Sequence, residues 1–166
     1  MSDVPLVSEW LRTRFPEGVV ATHQLCGDDT AVVRRESLRS VAQHLRDEPD
    51  LAFNVLMDLT AVDYLRYSSA SPQARFEVVY HFYSLEHNRR VRLKVPVEAQ
   101  DLSVDSLTDL WPAANWFERE VWDMFGLRFL GHPGLTRLLM YEEFDGHPLR
   151  KDYPVNRRQP LIGPVN

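Results

Sequence analysis

Val7, Trp10, Leu11 and Phe15 fall on one side of a helix of 3.6-residue period, and Pro16-Glu17-Gly18 stops the pattern. A short helix is therefore predicted over residues 7–15, with Ser8 as an early cap. The rhythm then changes. Residues 19–25 and 30–34 read as strands joined by Cys26-Gly27-Asp28-Asp29, a hairpin with an Asp/Gly turn. Over 37–47, Leu38, Val41, Ala42 and Leu45 restore the i, i+3, i+4, i+7 spacing of an amphipathic helix lying on a sheet. Longer strands are predicted over 53–64, 75–84 and 89–97; in the last, Val91, Leu93, Val95 and Val97 alternate with Arg92, Lys94 and Pro96. Glu86-His87-Asn88 is a short enough connection for an antiparallel hairpin. Helices and strands are interleaved without a βαβ repeat, so the expected class is α+β, a mostly antiparallel sheet covered by helices on one face, with an extended C-terminal tail.

A further short helix is expected over 103–110, before Trp111-Pro112. The next helix, 116–125, has stronger punctuation: Asn115 as N-cap, Glu118 three residues on as in a capping box, and Gly126 at C′. Beyond Gly126 five prolines, four glycines and little periodicity predict an extended segment that buries little of itself. The expected division is an α+β domain over 1–126 and a C-terminal segment over 127–166 that docks on partner subunits.

With 166 residues, 44% of them hydrophobic and 26% charged, the chain has the size and balance of one globular domain that needs no disulfide or metal staple. The single Cys26 cannot form an internal bridge or a cysteine-held metal cluster. The first ten residues lack a basic stretch followed by an apolar core, which argues against secretion, and no apolar run reaches the roughly 18 residues of a spanning helix. A net charge of −5 disfavours general nucleic-acid binding. The charge is uneven: Arg150, Lys151, Arg157 and Arg158 against Asp152 leave residues 148–166 at +3 and the rest at −8. A basic tail on an acidic body suits a segment that docks elsewhere.

Candidate chemistry crowds into 116–154. The helix there is apolar nearly all round, with only Glu118, Arg119, Glu120 and Asp123 polar, so it must be buried on more than one side. The sheet covers one stripe. A partner protein or the chain's own tail covers the second. Arg119 and Asp123, at i and i+4, are expected to pair along the helix. Two carboxylates beside an arginine could also be a general acid/base pair, yet no nucleophile, glycine-rich phosphate loop or oxyanion element accompanies them. His132 and His147 each stand between Gly and Pro and, with Asp123 or Asp145, raise a metal site; without a helical His-x-x-x-His face or a third soft ligand, turn histidines that cap backbone groups are favoured. In the tail, Pro148-Leu149-Arg150-Lys151-Asp152-Tyr153-Pro154 is a stiffened, charged strip, and Leu149, Tyr153, Val155, Leu161, Ile162 and Val165 argue against a merely solvated terminus.

In order, these elements are Trp116-Phe117-Glu118-Arg119-Glu120-Val121-Trp122-Asp123-Met124-Phe125-Gly126, Gly131-His132-Pro133, Arg137 and Gly146-His147-Pro148-Leu149-Arg150-Lys151-Asp152. The stretch resembles the signature of the 30 kDa subunit family of respiratory complex I, the proton-pumping NADH:quinone oxidoreductase. The resemblance implies a non-redox structural subunit of the peripheral arm, an α+β domain whose C-terminal segment wraps the 49 kDa-type (D) quinone-site subunit. It implies no catalytic, cofactor-binding or metal residue in this chain, with FMN and iron–sulfur clusters in partner subunits, and a peripheral location on the cytoplasmic side of the bacterial inner membrane. Trp116, Glu118, Arg119, Glu120, Trp122, Asp123, Gly126, His132, Pro133, Arg137, Gly146, His147, Pro148, Arg150, Lys151 and Asp152 are its expected interface and signature positions. Tyr141-Glu142-Glu143-Phe144 departs from the many members that have an Asp and a Gly before the Phe. The chain ends soon after Pro154, which within the resemblance reads as the free-standing form, not the fused C/D form. The alternatives are the equivalent subunit of a membrane-bound [NiFe] hydrogenase or ferredoxin-linked complex and, from another class, a stand-alone metal-dependent hydrolase using His132, His147 and Asp123.

Overall fold

The computed structural model describes residues 6–67 and 74–160, so Leu161, Ile162 and Val165 and the first five residues lie outside it. Helix α1 (Val7–Arg14) leads into strands β1 (Val19–Leu25) and β2 (Asp28–Val33). Their hairpin turns on two residues, Cys26 and Gly27, both at positive φ (53° and 87°), the mirror-image turn whose twist suits paired strands. Asp28 and Asp29, expected in the turn, therefore belong to the strand. Ser8 lies inside α1, and its amide is capped by the Asp29 carboxylate at 3.0 Å.

After a single 3₁₀ turn, α2 (Leu38–Asp47) buries Leu38, Val41, Ala42 and Leu45, the stripe the periodicity indicated. Strands β3 (Val55–Asp63), β4 (Phe76–Ser84) and β5 (Arg89–Val97) form an antiparallel meander. Its union with the first hairpin is the parallel pairing of β2 with β5, giving the order β1-β2-β5-β4-β3. Period-2 alternation sorts the two faces. Phe76, Val78, Tyr80 and Phe82 of β4 and Val91, Leu93, Val95 and Val97 of β5 point into one core beneath the helices. The other face is polar, with Glu77 paired to Lys94 at 3.0 Å and Arg92 to Asp28 at 2.5 Å.

The predicted helix over 103–110 is replaced by a three-residue strand β6 (Ser103–Asp105) followed by a turn. A segment this short has no readable period, and its pairing partner lies beyond the next helix. That helix, α3 (Ala114–Phe125), packs against β3, and β7 (Arg128–Leu130) then runs parallel to β6. Leu107 and Trp111 fill the space between, the Trp111 indole donating to the Phe53 carbonyl at 3.2 Å. No helix among the described residues is long and apolar enough to cross a membrane.

Candidate functional site

Helix α3 begins earlier than its sequence punctuation indicates, and the capping box does not form. Ala113 occupies the N-cap position without a side-chain bond. Glu118 instead turns inward, 0% exposed, where its two oxygens accept from the Leu107 amide and the Ser106 hydroxyl, both at 2.7 Å. The buried stripe includes Ala114, Glu118, Val121, Met124 and Phe125. Glu120 is exposed, and so is Trp116, at 61%. The Arg119 guanidinium lies over the Trp116 ring, 5.2 Å from its centroid.

Much of the helix's second side is covered by the chain's own segment. The last turn of a helix leaves four carbonyls without intrahelical partners, and here each finds one. The Trp122 carbonyl accepts from the Gly126 amide at 2.8 Å, that of Asp123 from His147 Nδ1 at 2.9 Å, and that of Met124 from the Leu149 amide at 3.1 Å. The Phe125 carbonyl accepts from Arg150 Nε. Gly-His-Pro-Leu-Arg is thus a C-terminal cap supplied from two dozen residues downstream. Gly126, at φ 74°, is required twice over, since a Cβ there would run into the His147 ring and the Arg150 guanidinium. Burial, ahead of the neighbouring arginines, pushes the His147 imidazole below its ordinary range.

Asp123 is the centre of the site. The expected Arg119–Asp123 pair is absent. Asp123 Oδ1 accepts from Arg137 Nη1 at 2.6 Å, while Oδ2 accepts from the amides of Leu138, Leu139 and Met140 at 3.0, 2.8 and 2.8 Å. Burial alone would raise this carboxyl, but the three amides and the guanidinium outweigh it and hold it below the usual carboxylate range. Arg137 also donates to the Phe144 and Gly146 carbonyls, at 2.6 and 3.3 Å. Arg119 reaches the same loop, donating to the carbonyls of Thr136 and Arg137. His132 closes its other end: Nε2 donates to the Asn115 carbonyl at 3.1 Å and Nδ1 accepts from the Gly134 amide at 3.0 Å. Pro133 is exposed beside it.

A second anchor was illegible in the sequence. Buried Asp63, at the end of β3, accepts from Arg75 at 3.0 Å, from the Leu65 amide and from the Lys151 amide at 2.9 Å. Arg75 pairs onward with Asp152 at 2.8 Å. Nothing in the local pattern distinguishes Asp63 from an ordinary polar strand end; its partner stands 88 residues away. Downstream, Gly146 at φ 103° lets Tyr153 lie close, Phe144 and Tyr153 stack at 6.0 Å, and Gln159 braces both the Asp145 carbonyl and the Tyr153 hydroxyl.

Both histidines therefore act as the backbone-capping turn residues, and the carboxylates of Glu118 and Asp123 are both occupied by donors. Among the described residues no group of three or more His, Cys, Asp or Glu side chains is arranged to hold a metal ion. What the arrangement offers is a fixed surface. Trp116, Leu139 and Leu149 are 61%, 56% and 50% exposed on a helix and segment that are otherwise tied down.

Comparison with known proteins bears on this surface. The family model described as respiratory-chain NADH dehydrogenase, 30 Kd subunit, matches residues 31–159. The chain is 46% identical to the C subunit of NADH-quinone oxidoreductase from Roseiflexus sp. (strain RS-1) over 157 residues, which are 95% of this chain and 87% of that protein. It is also 46% identical over 155 residues to the C/D subunit from Yersinia pestis bv. Antiqua (strain Angola), matching 92% of this chain but 26% of that longer protein. Among solved structures, the trypsin-resistant fragment (1-134) of Nqo5 superposes with a TM-score of 0.68 at 34% identity, covering 78% of this chain and 96% of the fragment. A component of an archaeal membrane-bound sulfane sulfur reductase shares the fold, with a TM-score of 0.68 at 20% identity over 90% of this chain and 85% of that one.

Proposed function

The chain belongs to the family of the respiratory-chain NADH dehydrogenase 30 kDa subunit, and on that premise we propose that it is a non-redox structural subunit in the peripheral arm of an NADH:quinone oxidoreductase. Its task is to hold the quinone-reducing module in register while FMN and iron–sulfur clusters in partner subunits carry electrons from NADH. The partner we assign is the D-type subunit, because several relatives join C and D in one polypeptide. Residues 127–166 are the docking segment, and the complex keeps the chain at the cytoplasmic side of the bacterial inner membrane as a peripheral component.

The observation that carries this reading is the exposure of Trp116, Leu139 and Leu149 on a helix and segment that hydrogen bonds within the chain hold together. Exposed aromatic and aliphatic anchors on a preorganised frame are the features that give interfaces their affinity. An obligate interface here should bury on the order of 2,000 Å² or more. The relatives' shared name favours an NADH:quinone oxidoreductase over a hydrogenase-type complex. The hydrolase reading needs His132, His147 and Asp123 free for a metal, whereas backbone groups and Arg137 occupy them.

Affinity capture of the tagged chain from its native membrane fraction in mild detergent is the test. Recovery of a D-type subunit with flavin and iron–sulfur partners is expected; recovery of hydrogenase partners, or of the chain alone, overturns the reading. Trp122→Ala, or truncation before Gly146, should lower assembly yet leave the cofactor spectra of assembled complexes unchanged. Normal assembly with selectively lost quinone reduction would instead point to a direct catalytic role.

A further inference from the structure

Five acidic side chains are buried among the described residues, and three of them face a cation. Asp63, Glu77 and Asp123 face Arg75, Lys94 and Arg137. Asp29 caps α1 through Oδ2 and leaves Oδ1 without a hydrogen-bond partner, but at 8% exposure it borders surface hollows. Glu118 differs: 0% exposed, it meets two neutral donors and no cation among the described residues.

The charges around it deepen the contrast. From β4, Tyr80 is 0% exposed with its hydroxyl unpartnered. From β6 and the turn after it, Asp105 and Asp109 add negative charge, Asp109 bearing on Glu118 itself. From α2, Arg39 is spent on Asp109 and the Ser106 carbonyl. On α3, Arg119 reaches the 136–137 carbonyls and Glu120 points to solvent. No described cation pairs with an ionised Glu118, and burial pushes its carboxyl up to about 7.

A path for a proton is present. Glu118 Oε2 lies 2.7 Å from Ser106 Oγ, which lies 2.9 Å from Thr108 Oγ1, and Thr108 is half-buried at the outer end of this chain of hydroxyls. We propose that Glu118 is a single-proton site, sealed between α3, β4 and the 106–108 turn and loaded from solvent through the hydroxyls of Thr108 and Ser106. When ionised, the carboxylate accepts from Leu107 N–H and Ser106 O–H. When a proton arrives, Oε2 donates it to Ser106 Oγ, whose own hydrogen turns toward Thr108 Oγ1, and Oε1 keeps the Leu107 amide. One proton enters, and every heavy atom stays in place. Because Glu118 fastens α3 to the 106–107 turn, its charge state bears on the helix that carries the docking surface; that consequence alone rests on the function proposed above.

The experiment is an NMR titration of the full ¹⁵N-labelled chain from about pH 5 to about pH 9, following the Leu107 amide, whose hydrogen bond reports the Glu118 charge directly. The Leu107 resonance should move with a midpoint at about pH 7, and the movement should vanish in Glu118→Gln, which keeps an acceptor for Leu107 and cannot ionise. A flat Leu107 resonance in the native chain, or the same movement in the variant, overturns the proposal. Should the variant not fold, infrared titration of the native protein decides: a buried protonated-carboxyl band lost near neutrality supports the site, and its absence on the acid side overturns it. Failure of partner capture would leave these readouts unchanged, so the two readings fail separately.

Discussion

The single carboxylate of Asp123 pairs with Arg137 and closes three amides of the loop that crosses it. Asp123→Asn keeps the volume but removes the charge, leaving a guanidinium only 15% exposed without its counter-ion. Breaking such a pair from one side costs roughly 3–5 kcal/mol, and chemical denaturation should register a loss of that order. Trypsin cleavage at Arg137 should quicken in the same variant. Gly126→Ala is expected to cost roughly 1–3 kcal/mol by thermal unfolding, as left-handed strain adds to displacement of the His147 and Arg150 side chains. His147 sets a pH window of its own. Its native-state pKa is depressed, so the unfolded chain takes up the proton first, and stability is lost as pH falls through about 6.5, the ordinary imidazole value. Glu118 runs oppositely: with its native value raised, its contribution is fully present below the ordinary glutamate range and declines as pH rises toward about 7. Urea midpoints of the native chain, His147→Gln and Glu118→Gln across that range should separate the two slopes.

At the scale of elements, the sequence was readable wherever periodicity and local punctuation decide structure. Strands β3, β4 and β5 and helix α2 lie close to where alternation and 3.6-residue spacing indicate. Gly126 ends α3 as its position after the apolar run implies. What failed has one physical cause. Asn115 does not cap, Glu118 does not close a capping box and Arg119 does not reach Asp123, because Glu118 and Arg119 found partners distant in sequence that local rules cannot see. Strands β6 and β7, three residues each, exist only by virtue of each other. The same reasoning hid Asp63 and Arg75. It also indicates where the structure is separable: substituting Leu149 by Pro removes the amide that caps the Met124 carbonyl. Hydrogen exchange should then quicken in the last turn of α3 while the β4 and β5 amides keep their protection.

Across the whole molecule, two buried carboxylates, Asp123 on α3 and Asp63 on β3, each bind an arginine and backbone amides from the residues after α3, three amides at Asp123 and that of Lys151 at Asp63. Truncation after Leu130 should leave a cooperatively folded sheet by circular dichroism yet abolish capture of the D-type subunit. The sheet itself is assembled from two locally connected pieces, the β1-β2 hairpin and the β3-β4-β5 meander, and only the parallel seam of β2 with β5 unites them. Its paired residues Thr30 and Arg92 stand 62 positions apart. Closing so long a loop costs more entropy than closing either hairpin, so the seam is expected to form after the two local pieces. A nascent chain must release all of β5 from the ribosome before β2 has a neighbour on that side, and until then the inner edge of the first hairpin stands open to pairing with another nascent chain.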